Sequence, residues 1–126
     1  MVVEVHGETA RATLGSYCVS HGRVGVCSDS AYPLPVRGGI RVSPGDRVTV
    51  RTGDRAIKRV SVGLLRVRGR RIESGDWSAR AERVPGRPRR FSVELSSDLE
   101  RANRLDVFVR YRDRIGDADY WARIIR

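Results

Sequence analysis

Both cysteines of the chain lie in the run GSYCVSHGRVGVCSDS at residues 15–30, with His21 between them. Such residues can form a crosslink, hold a metal or build a nucleophilic dyad, and their spacing separates the three. In a strand, residues an odd number of positions apart point to opposite faces, so Cys18 and His21 cannot form a thiolate–imidazole pair there. A zinc site is short of ligands, because Cys-x8-Cys with His6 and His21 matches no common spacing.

A two-residue loop at Gly22-Arg23, with glycine first, carries the type II′ hairpin signature. It sets His21 against Val24, Ser20 against Gly25, Val19 against Val26 and Cys18 against Cys27. Counting outward from the loop makes the cysteines a non-hydrogen-bonded pair, whose Cα atoms lie about 4.5 Å apart, within disulfide range. The expectation is therefore a Cys18–Cys27 staple, which persists only in an oxidising compartment.

Other chemical motifs are thin. Gly-x-Ser-x-Gly, P-loop, dinucleotide-glycine and His-Glu-x-x-His patterns are missing from the sequence, and acids such as Asp46, Glu73 and Asp98 fall in expected turns or caps. No catalytic residue, cofactor or metal is assigned, and the chain is read as a non-enzyme. Asp113, Asp117 and Asp119 near Gly116 lack the EF-hand core and read as a solvated turn. Arg104 to Tyr111 partly fits an RNA-recognition strand, but two amphipathic helices would have to accompany it, so it reads as a core strand.

The formal charge is +10, and 24 arginines against the single Lys58 supply it. Such a balance attracts polyanions, and arginine grips phosphate bidentately. The arginines are spread along the chain, with one basic block at 83–90 that contains Pro85 and Pro88. Near the end, Tyr111, Tyr120 and Trp121 fall close to several arginines, and Arg110, Arg112, Tyr120, Trp121 and Arg123 form the candidate binding surface. An anionic cell-surface polymer or an acidic protein is the expected partner class. The runner-up is a cytosolic basic barrel that binds nucleic acid with both cysteines reduced.

These residues must be positioned by strands, because the hydrophobic period is two nearly everywhere. Pro44-Gly45 reads as a type II turn, Gly63 as a bulge or change of sheet, and Leu105, Val107 and Val109 as one buried face. Eight or nine short strands at intervals of about 8 to 12 residues suit an antiparallel β-sandwich or barrel. A capping box at Ser97 to Glu100 adds one short helical crossover near 97–103. Residues 1–126 form a single domain, no apolar stretch is long enough for a membrane helix, and the start lacks a signal peptide. An export signal or lipid anchor would have to precede Met1.

Gly15-Ser16-Tyr17-Cys18, Cys27-Ser28-Asp29, Pro33 and Pro35, followed by the strand 105–111 and the glycine-then-aromatic strand 116–125, resemble small exported or lipid-anchored domains of Gram-positive bacteria. That resemblance implies an immunoglobulin-like sandwich outside the cytoplasm with no established activity. The chain departs from the pattern at Val19, where such domains carry an aromatic residue.

Overall fold

The computed structural model describes residues 1–21, 23–29, 34–96, 99–112 and 116–125. Gly22 of the hairpin loop, Pro33, the Ser97–Asp98 cap, Asp113 and Arg126 lie outside them. Among these residues eleven strands are found: β1 (Val2–Val5), β2 (Glu8–Arg11), β3 (Thr13–His21), β4 (Val24–Ser28), β5 (Gly39–Arg41), β6 (Arg47–Arg51), β7 (Ile57–Arg68), β8 (Arg71–Val84), β9 (Arg87–Glu94), β10 (Arg104–Tyr111) and β11 (Gly116–Ile125). They pair in the order β2-β1-β6-β9-β8-β7-β10-β11-β3-β4, all antiparallel, while β5 joins β11 in parallel.

Alternation decides which side chains meet inside. Val3 and Val5, Val48 and Val50, Val60 and Val62, and Leu105, Val107 and Val109 are at most 1% exposed and belong to one core cluster. Each such side chain contributes roughly 1.5 to 3 kcal/mol relative to exposure, before chain entropy is counted. One strand links the two parts of the order. β8 pairs with β7 along Arg71–Ala81 and with β9 along Glu82–Val84.

The hairpin has the expected register, from His21 opposite Val24 to Cys18 opposite Cys27. Gly45 takes φ +82°, as a type II turn requires, and the Asp46 amide donates to the Ser43 carbonyl at 3.1 Å. Asp46 also accepts from the Ser43 amide and contacts His6 Nε2, both at 2.8 Å. These contacts hold its carboxyl below the usual range, the His6 hydrogen bond being the larger cause. The ladder between β7 and β8 shifts register after Gly63, as its position in the pattern suggested.

Two expectations are corrected. Among the described residues there are eleven strands rather than eight or nine, and β7 and β8 run to 12 and 14 residues. No helical crossover is seen: among the described residues near 97–103 there is only a 3-10 turn at Leu99–Arg101. The cause lies in Asn103, whose amide group donates to the Val67 carbonyl and accepts from the Val67 amide, each at 2.8 Å. With Asn103 fixed against β7 and Leu99 and Ala102 buried, the connection has no length left for an α-helix.

Candidate functional site

The loop between β6 and β7 is fixed at three points. The Thr52 amide donates to the Arg89 carbonyl at 2.9 Å, the Ala56 amide to Asp54 Oδ1 at 2.8 Å, and the Arg112 amide to the Ala56 carbonyl at 2.7 Å. Thr52 is 6% exposed, and its hydroxyl also reaches the Asp54 and Arg89 carbonyls at 3.4 Å. This loop is thereby braced against β9 on one side and the end of β10 on the other.

The same contacts bring arginines from three distant stretches together. Arg55, Arg87, Arg89, Arg90 and Arg112 line a groove of about 540 Å³, with Gly86 and Pro88 between them. None of the five takes part in an ion pair among the described residues, where the pairs are His6 with Asp46 and Arg51 with Glu4. Asp54, the nearby acid, spends one oxygen on its own loop. Five unneutralised guanidinium groups around one concavity create a positive potential that concentrates anions, and each can bind a phosphate or carboxylate through two N–H donors.

The surface nominated from the sequence is dispersed. Arg104 pairs across the ladder with Arg123 and Arg110 with Asp117, so Arg123 and Arg112 lie at opposite ends of β10. Trp121 is 2% exposed, and Tyr120 packs against the core. Burial and then a hydrogen bond with Tyr120 raise the Tyr111 hydroxyl far above its ordinary range. Of Arg110, Arg112, Tyr120, Trp121 and Arg123, only Arg112 lines the groove.

Arg87, Arg89 and Arg90 belong to the basic block at 83–90, whereas Arg55 is remote from it in the sequence and joins it only through the fold. Pro88 of that block sits in β9 at a position that pairs with neither β6 nor β8, so its missing N–H costs no ladder bond.

A second concavity, of about 210 Å³, lies beside the disulfide and is lined by Asp29, Asp106, Asp117, Asp119 and Phe108 among others. Asp117 and Asp119 lie in β11 rather than in a turn. No group of three or more His, Cys, Asp or Glu side chains among the described residues is arranged to hold a metal. No family model matches the chain, nor does any curated protein or solved structure.

Proposed function

We propose that the chain is an extracytoplasmic, immunoglobulin-like β-sandwich module, non-enzymatic, that binds an anionic cell-surface polymer in the arginine groove. The convergence of Arg55, Arg87, Arg89, Arg90 and Arg112 on one braced concavity carries this reading. Strand order supports the fold type. The sequence β1-β6-β9-β8 follows the A-B-E-D order of an immunoglobulin sheet, and β7-β10-β11 follows C-F-G. On that mapping the groove falls on the loops that follow B and F and on the turn before E, at one end of the sandwich, where such folds carry binding sites. The Cys18–Cys27 disulfide is compatible with an oxidising compartment.

Titration of the protein with inorganic polyphosphate at low salt tests the reading. Wild-type binding should weaken steeply as salt rises, and Arg87→Glu/Arg89→Glu should lose at least about tenfold in affinity. Absence of binding at low salt would overturn it.

A further inference from the structure

The groove has a neighbour of the same sign. Along β9, Arg89 lines the groove, and Phe91, two residues on and so on the same side of the strand, lines a cleft of about 320 Å³ whose other side chains include Lys58, Arg59, Arg80, Glu82 and Arg83. Phe91 is 3% exposed, and the Arg83 guanidinium lies over its ring, 5.1 Å from the centroid. Arg83 is exposed, and stacking on a buried ring restricts its planar group, so part of the entropy of ordering a long side chain is already spent. The cleft also sits where β8 passes from β7 to β9. Arg80 faces Ser61 in the first ladder, and Arg83 faces Phe91 in the second.

Five cations line the groove and four the cleft, against one carboxylate, Glu82, in the two linings. Repulsion within such a band opposes folding unless a ligand of opposite charge spans it. A single small anion would neutralise one concavity and leave the other. Aromatic chemistry narrows the ligand further: Phe91 is the aromatic residue of the two linings, and its ring is buried beneath Arg83, so it offers no face on which a base could stack.

Building on the reading of the groove given above, we infer that groove and cleft form one continuous track for a linear phosphate polymer without bases, which occupies both at once. Joining two sites on one chain makes the second contact intramolecular, so affinity should rise sharply with polymer length.

Three probes test the inference: tripolyphosphate, long-chain polyphosphate and an oligodeoxythymidine of matched charge. Long-chain polyphosphate should bind wild type about 100-fold more tightly than tripolyphosphate. Arg59→Glu/Arg80→Glu, which alters exposed side chains of the cleft alone, should lose about tenfold or more of that advantage and keep its affinity for tripolyphosphate. Thermal unfolding with and without polyphosphate provides a second readout, since a ligand of the folded state raises the midpoint. If the cleft variant binds the long chain as wild type does while Arg87→Glu/Arg89→Glu does not, the groove acts alone and the track is refuted. If neither polyphosphate binds wild type, the groove reading falls too. Tighter binding of oligodeoxythymidine than of polyphosphate would overturn the choice of polymer.

Discussion

Asp106 on β10 stands directly across the ladder from Trp121 on β11, on the face of the sheet turned away from the main core. Burial raises the Asp106 carboxyl to about 7, the charge of Asp119 adds to the rise, and the Trp121 indole offsets part of it. Between its unfolded value near 3.8 and about 7, the folded chain holds a proton that the unfolded chain has released. Stability from this group therefore falls as pH rises through that window and levels off above it. Asp106→Asn should remove that slope and stabilise the protein at pH 8 by on the order of 1 kcal/mol or more. Urea unfolding at pH 5 and pH 8 measures it, and equal slopes in both proteins would contradict the assignment.

The Cys18–Cys27 crosslink ties β4, an edge strand whose Val24 and Val26 are exposed, to β3. Replacing both cysteines by serine should lower stability by about 2.5 to 3 kcal/mol, the chain entropy of a loop of roughly ten residues. Denaturant titration gives the loss. Unfolded, unreduced protein should show no titratable thiol, and finding two would refute the crosslink.

Thr52 acts on the groove through position rather than charge. Thr52→Val keeps the shape of the side chain and deletes its hydroxyl contacts with the Asp54 and Arg89 carbonyls. The expected cost is about 1 kcal/mol of stability. Polyphosphate affinity should fall while the salt slope stays unchanged, because no cation has been removed.

Gly116 begins β11 at φ +140°, and a Cβ there would run into the Cys18 backbone carbonyl. Gly116→Ala should cost about 1 to 3 kcal/mol. Faster amide hydrogen exchange along β3 than in wild type, read by mass spectrometry, would accompany the loss.

Local patterns were the legible ones. The register at Cys18 and Cys27 follows from a glycine-led loop and strict alternation, and the Leu105–Val107–Val109 face from one strand's period. What escaped depended on distant partners. β8 carries only a weak apolar alternation in the sequence, around Trp77 and Ala79, because a strand that passes between two neighbours need not keep one apolar face along its 14 residues. Trp121 looked available as a surface aromatic. It is buried, as is Leu34, and neither belongs to the main core cluster. The groove escaped for the same reason, since Arg55, Arg89 and Arg112 meet only through the Thr52 and Ala56 contacts.

The last strand, β11, takes three partners: β10 before it in the chain, and β3 and β5 from the first third. Until Gly116–Ile125 has been synthesised, β5 lacks its ladder and β3 has only β4 beside it. Closing pairings across so much of the chain is slow compared with forming a hairpin. A nascent chain therefore keeps the β3 and β5 edges that β11 later covers unpaired until Gly116–Ile125 has emerged, and through that interval those backbone edges are open to any other strand.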